Sequence, residues 1–335
     1  VSTTPQAGSL RQEATMTTLT APTSAPPKAA PAPRPPSRKA AQGSQGERVT
    51  LGEQIAAYLI LGIGSLAFLI PFYFVANASL KTDVDVQAGN FVSPPKQVAD
   101  VRWQNYPKAM EKIGLQWVPN TPLPRSFPAL SNTIVITILT IAGQILSCSL
   151  VGFGFARFKF RGRGILFIVM LSTMMLPAQV TMIPVFVLFR SLGMIDTIWP
   201  LVIPAWLASP FFVFMFRQFF SQIPEELLEA AKIDGCSNWR IYWQIMLPLC
   251  GPVIAIVAIY TFLGAWNDFM GPLIYLNSPE NRTLALELNS FKGQYGNSDA
   301  HLLMAASVVC MLPCVILFFA AQKYFVESVA TTGGK

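Results

Sequence analysis

The sequence predicts an all-α, polytopic membrane protein with six transmembrane helices, and three observations predict it. First, the 335 residues are 52% hydrophobic and only 12% charged, about half the charge of an average soluble domain, and the mean hydropathy is +0.46. Second, six charge-free runs are each long enough for the ~20 residues that a spanning helix needs. They lie between Glu53 and Lys81, Arg125 and Arg157, Arg163 and Arg190, Asp196 and Arg217, Arg240 and Asp268, and Asp299 and Lys323. Third, the charges collect beside these runs instead of within them, as a bilayer requires.

Residues 1–50 form a separate segment. They hold eight prolines with many Ala, Ser and Thr and almost no large apolar side chains. Such a chain cannot bury enough surface to offset its ordering entropy, so a disordered Pro/Ala-rich tail is expected. It has no apolar stretch of the kind found in secretory signals, and two starts, Val1 or Met16, stay open. Residues 51–335 form the membrane domain. An even number of spans puts both termini on one side. The short turn after the second run carries Arg157, Lys159, Arg161 and Arg163 and no acid, which marks that side as cytosolic. The long first outer loop, about 79–129, carries six Lys/Arg against Asp83, Asp85, Asp100 and Glu111, but the inside bias of basic residues is weakest in long loops.

Prolines punctuate the later runs: Pro177 and Pro184 in the third, Pro204 and Pro210 in the fourth, Pro272 closing the fifth, Pro313 in the sixth. Each removes a helix hydrogen bond and bends the axis. The freed carbonyls need a neighbouring helix or a wet cavity. Two readings stay open: bends that shape a pathway, and bends that serve packing alone.

Several function classes are excluded or disfavoured. The net charge of +7 follows membrane orientation, and no basic stripe interleaves with aromatics as a nucleic-acid surface demands. Cys148, Cys236, Cys250, Cys310 and Cys314 fall in or beside runs or in the inner loop, so no disulfide framework is implied. One histidine, His301, leaves little for a zinc site or a Ser/His/Asp triad, so no metal site and no catalytic residues are expected. The terminal Gly333-Gly334-Lys335 lacks the rest of a phosphate loop, so the chain is not expected to hydrolyse ATP or to be an enzyme. A secondary carrier usually keeps ionised residues within its spans. Here they hold amides, hydroxyls and aromatics, which suit a neutral, hydroxyl-rich solute. Asn132, Gln144, Trp266 and Asn267 are the path candidates. The alternative is that groups such as Asn132, Thr137, Gln144 and Ser147 only bond across helices.

The most informative segment is the inner loop at about 221–248. Pro224 suits a first helical position, Glu225 and Glu226 favour the positive end of the helix dipole, Ala230 and Ala231 leave a low surface, and Gly235 allows the left-handed turn that ends a helix. A short docking helix is expected. Glu229-Ala230-Ala231, then Asp234-Gly235, then Ile245, Leu247 and Pro248 resemble the Glu-Ala-Ala loop of permease subunits of binding-protein-dependent ABC importers. Cys236 stands where that family usually has alanine, and Trp243 where it often has phenylalanine. Further motifs follow in order: Ser131-Asn132-Thr133, Leu176-Pro177-Ala178-Gln179, Trp266-Asn267-Asp268-Phe269, Leu284 to Leu288, Met304-Ala305-Ala306, and Gln322 to Val326. Together they are similar to the smaller permease of the maltose-type carbohydrate importers, over about residues 51–335.

The resemblance implies a six-helix permease domain in the cytoplasmic membrane of a prokaryote. It implies a second permease subunit, a cytosolic ATPase dimer and an extracytoplasmic solute-binding protein as partners, with a sugar as substrate. ATP is then used by the partner subunits and no cofactor is bound by this chain. Glu229, Ala230, Ala231, Asp234 and Gly235 become the ATPase-coupling residues, and ATP-driven alternating access moves a di- or oligosaccharide. A cargo such as glycerol phosphate is the alternative, although a phosphate favours basic residues along the path and no run contains one. For the outer loop at 277–300 two readings stand: its apolar residues cap the bundle, or Gln294 and Tyr295 at its tip reach the binding protein.

Overall fold

The computed structural model describes residues 50–94, 100–113, 128–291 and 299–332. The Pro/Ala-rich tail up to residue 49 and the loop tip with Gln294 and Tyr295 lie outside these residues. The chain divides into two compact units, Val1–Ile63 and Gly64–Lys335. The described part of the first is the opening of α1 (Leu51–Ser79), which is apolar on every side, as suits a helix surrounded by lipid or protein.

The second unit is helical, without strands among the described residues. Two short outer helices, α2 (Asp83–Gln87) and α3 (Asn105–Lys112), precede α4 (Pro128–Arg157), the longest buried helix. There follow α5 (Arg163–Ser172), α6 (Ala178–Ser191), α7 (Trp199–Val202), α8 (Pro210–Gln222), α9 (Glu225–Ile233), α10 (Asn238–Ile241), α11 (Leu247–Leu249) and α12 (Gly251–Trp266). The outer elements α13 (Met270–Tyr275) and α14 (Leu284–Leu288) lead into α15 (Ala300–Thr332). Helix α4 is the hub, packed against α8, α12 and the turn at Ile203–Leu207. Gly152 makes the α4–α8 approach possible: a Cβ there would lie 2.7 Å from Phe216 Cβ, the small-residue packing that membrane helices favour.

Among the described residues, four helical segments are long and apolar enough to cross a membrane: Leu51–Ser79, Ala129–Arg157, Trp199–Gln222 and Ala300–Gln322. Two more crossings arise if each of two bent pairs is one span. The third run is bent by 98° between α5 and α6, sharper than a proline kink. Leu176 takes the extended conformation, with ψ 120°, because the ring of Pro177 disfavours a helical residue before it. The fifth run bends by 75° between α11 and α12. By contrast Pro184 and Pro313 sit inside continuous helices. The fourth span tightens to a 3₁₀ helix at Ile203–Leu207 and breaks at Ala208, which adopts a positive φ of 61°. Side chains of α4 approach the carbonyls released there: Ser147 Oγ lies 3.2 Å from Ala205 O and Cys148 Sγ 3.7 Å from Ser209 O, each sharing its one proton with a nearer acceptor on α4, Gly143 O at 2.6 Å and Gln144 Oε1 at 3.1 Å. That is the compensation a broken helix needs away from water.

Two buried clusters mark the two ends. One gathers Phe153, Phe216, Phe220, Leu228, Tyr242 and Met246 under the α8–α11 loop. The other gathers Ile113, Trp266, Leu284, Phe291, Ala305 and Ala306. Around the second, Asn105 Nδ2 donates to the carbonyls of Ser79 and Lys81, both at 2.8 Å. Lys112 pairs with Asp299, and His301 Nδ1 lies 3.1 Å from Asp83 Oδ1.

Candidate functional site

The α8–α11 loop forms a rigid shelf. Pro224 is the residue before the helix, with ψ 138°. The expected first helical position therefore moves one residue on, to Glu225, because Pro224 keeps an extended backbone. The acidic pair Glu225 and Glu226 opens the first turn and Lys232 stands in the last, both favourable to the dipole. Gly235 has φ +78°. Its N–H donates to Lys232 O at 3.0 Å, and the N–H of Cys236 to Ala231 O at 2.9 Å. These are the paired bonds of a Schellman ending. A Cβ at Gly235 would meet nothing within 4 Å, so glycine is needed there for backbone angle and not for space. Ser237 then caps α10 by accepting the N–H of Arg240 at 3.3 Å.

The shelf is bolted to the bundle on one face. Leu228 and Ala231 pack with Ile241, Tyr242 and Met246 against Phe153, Phe216 and Phe220. The Tyr242 hydroxyl meets Ser149 Oγ at 2.7 Å. Arg157, the last residue of α4, donates to the carbonyls of Phe220 and Ile223 at the end of α8, where Phe220 O otherwise has only the long 3.4 Å bond from the Ile223 N–H. Ala231 is the correction to the sequence reading. It is 6% exposed and faces its own bundle, because helical spacing places it one turn from the inward Leu228. The outward face carries Leu227, Glu229, Ala230, Ile233 and Asp234, and Ile233 is 86% exposed. Trp239, on α10, is also exposed, and its ring packs on Tyr242 and Trp243.

The four path candidates separate. Gln144 lines a cavity of 310 Å³ between α4, α8 and α12, with Thr140, Tyr260, Thr261, Asp268 and Thr283. Trp266 and Asn267 line a neighbouring cavity of 290 Å³ beside α15. There the Trp266 indole donates to Cys310 O at 3.0 Å and stacks on Phe262 at 5.3 Å, while Asn267 Nδ2 donates to Leu263 O at 2.9 Å. Asn132 lines neither. Its amide donates to Glu280 O at 2.8 Å and Arg282 O at 3.1 Å, so it fastens the outer loop. Thr133 Oγ1 accepts the N–H of Leu284 at 2.9 Å.

Asp196, absent from the sequence-based candidates, is the main clasp of that loop. It has φ 62°, a left-handed conformation that aspartate tolerates better than most residues. Its carboxylate accepts the Ser278 hydroxyl and the N–H groups of Asn277 at 2.8 Å and Ser278 at 2.9 Å. These bonds, led by the Ser278 hydroxyl, hold its carboxyl well below the usual carboxylate range. Its carbonyl accepts from Asn281 Nδ2 at 2.7 Å. Leu284, Leu286 and Phe291 are buried, so this stretch of the loop caps the bundle. The only signal for Asp196 was its place beside a run of apolar residues, which names no partner. Among the described residues no three His, Cys, Asp or Glu side chains gather as a metal site.

Residues 148–331 match the family model described as the binding-protein-dependent transport system inner membrane component. The chain is 32% identical over 279 residues to the arabinooligosaccharides transport system permease protein AraQ of Halalkalibacterium halodurans, covering 83% of this chain and 95% of that protein. It is 31% identical over 275 residues to the melibiose/raffinose/stachyose import permease protein MelC of Bacillus subtilis, covering 82% and 94%. A solved bacterial ABC transporter involved in import of the acidic polysaccharide alginate shares the fold, with a TM-score of 0.68 at 22% identity over 81% of this chain and 96% of that one. With a family match over more than half its length and relatives above 30% identity along nearly all of theirs, the chain belongs to the inner-membrane permease components of binding-protein-dependent ABC transport systems.

Proposed function

We propose that this permease imports neutral di- or oligosaccharides by ATP-driven alternating access, paired with a second permease, a cytosolic ATPase dimer and an extracytoplasmic binding protein. The observation that carries the reading is the α9 shelf: an exposed face, with Leu227, Ala230 and Ile233 beside Glu229 and Asp234, on a helix whose other face is fixed to the bundle. Such a shelf transmits force from an external motor instead of yielding to it. ATP binding closes the ATPase pair, the pair moves the two shelves together, and the permease opens outward to receive solute. Hydrolysis returns it inward. In this orientation Arg157, Lys159, Arg161 and Arg163 lie on the cytosolic side, with both termini. Glu229, Ala230, Asp234 and Gly235 serve coupling, Ala231 by packing inward. Gln294 and Tyr295 are assigned to binding-protein contact from the sequence alone. The sugar cargo rests on the relatives' substrates and on spans that hold neutral polar groups.

The test is reconstitution of the chain with an ATPase, a second permease and a binding protein from the same organism. Proteoliposomes loaded with ATP should accumulate labelled arabinotriose or raffinose, and omission of ATP or of the binding protein should abolish uptake. Uptake of glycerol phosphate in place of any sugar would overturn the cargo.

A further inference from the structure

Charge is matched unevenly along the bundle. Among the described residues the ion pairs are Lys112–Asp299, Arg282–Glu287 and His301–Asp83, all at the end that carries the 277–291 loop. At the opposite end α4 stops at Arg157 and α5 begins at Arg163, joined by Phe158-Lys159-Phe160-Arg161-Gly162. From Arg157 to Gln222 the chain holds one acid, Asp196, and the outer loop occupies it. Arg157 is committed to the carbonyls at the end of α8. The side chains of Lys159 and Arg161 are exposed and bond to nothing among the described residues. Arg217 lies on α8 five residues before its end at Gln222, about 7.5 Å short of it along the axis. Its guanidinium rests 4.2 Å from the centre of the Phe167 ring and pairs with no acid among the described residues.

Phe167 stands one helical turn beyond Arg163 on the same face of α5. Arg163 and Arg217 therefore flank one groove between α5 and α8, with Lys159 and Arg161 in the turn that leads into it. Arg163 Nη1 donates to Phe158 O at 3.3 Å, which leaves the other donors of its fork available. Beside these cations, Ile165, Ile168 and Val169 of α5 are exposed. A guanidinium held short of the end of a span needs a counter-charge or a path to the headgroup layer. Phe158 and Phe160, also exposed, alternate with the cations, a mixture that suits that layer. We propose that the α5–α8 groove binds one anionic phospholipid. Arg163 and Arg217 hold its phosphate through charge-assisted bonds, Lys159 and Arg161 add attraction at the surface, and an acyl chain lies along Ile165, Ile168 and Val169. An acidic segment of a partner protein would answer the cations alone; the apolar side chains contiguous with them select the lipid. The site goes beyond the importer reading and holds whatever the cargo.

The experiment uses the assembled transporter in phosphatidylcholine nanodiscs that contain a little phosphatidylglycerol with a photoreactive diazirine on one acyl chain. Illumination should label residues 163–172. Unlabelled phosphatidylglycerol should suppress that labelling, and the same amount of extra phosphatidylcholine should not. The double variant Lys159→Gln/Arg161→Gln removes two exposed cations that bond nothing in the fold. It should weaken the apparent affinity for phosphatidylglycerol about thirtyfold, as expected for two basic residues at a membrane surface. Arg217→Gln should weaken it as well, and Arg217→Lys should restore part of the loss. The same change of charge elsewhere, Lys108→Gln/Arg190→Gln, should leave labelling as it is in the wild type. Equal competition by the two lipids, or an unchanged affinity in Lys159→Gln/Arg161→Gln, would overturn the proposal. Labelling of α5 in the isolated chain but not in the assembled transporter would show that a protein subunit fills the groove, which would overturn it too.

Discussion

Two adjacent alanines separate docking from packing. Ala230 is exposed and Ala231 buried, so a bulky side chain should act differently at each. Ala231→Trp overpacks the cluster of Leu228 and Tyr242 and should cost about 1–3 kcal/mol, seen as a lower thermal midpoint in detergent. Ala230→Trp should leave that midpoint unchanged and weaken association with the ATPase. At Gly235 space is free but φ is positive. Gly235→Ala should therefore cost about 1–2 kcal/mol from backbone conformation, and a larger side chain should cost little more. Thermal melts of Ala, Leu and Trp variants at that position check this. Asp196 gives a pH dependence with a definite sign. Its carboxyl is depressed in the folded chain, so its contribution is complete above the unfolded value of about 3.9 and is lost as pH falls below it toward the folded value. Limited proteolysis between Asn277 and Phe291 should speed up as pH drops from 5 to 3. Asp196→Ala should be cleaved quickly at both pH values.

Helices that depend on composition were legible from the sequence, and breaks that depend on neighbours were not. The six apolar runs, the existence of α9 and its Gly235 ending follow from local chemistry: charge-free length, an acidic first turn, and a residue free to take positive φ; the start of α9 falls one residue later than expected, at Glu225. The 98° bend between α5 and α6 was foreshadowed by Pro177, but its size depends on the whole bundle. The 3₁₀ turn at Ile203–Leu207 and the break after it are supported by Ser147 and Cys148 of α4, which no window around residue 205 reveals. The same limit applies to the site. Asn132 and Gln144 look alike as span amides, yet one clamps a loop some 148 residues away and the other lines a cavity. Arg157 was read only as an orientation marker, while its guanidinium closes the end of α8. Arg157→Lys keeps the charge but not the planar fork. It should loosen the shelf by about 1–3 kcal/mol through the weakened bonds to the Phe220 and Ile223 carbonyls, measurable as faster hydrogen exchange in α9 with little change in α12.

The proposed importer pairs two permeases whose shelves are moved from outside, and the central claim of that proposal is that the outward face of α9 is the ATPase contact. Cysteine cross-linking tests that claim most directly. In a Cys236→Ser background, Ala230→Cys, Ile233→Cys and Ala231→Cys are placed in the complete complex, and a short bismaleimide is added. The account predicts cross-links to the ATPase from residues 230 and 233, with their yield changing when ATP is bound, and none from residue 231. Cross-links from 231 equal to those from 230, or none from 230 and 233 in a complex that still hydrolyses ATP, would contradict it.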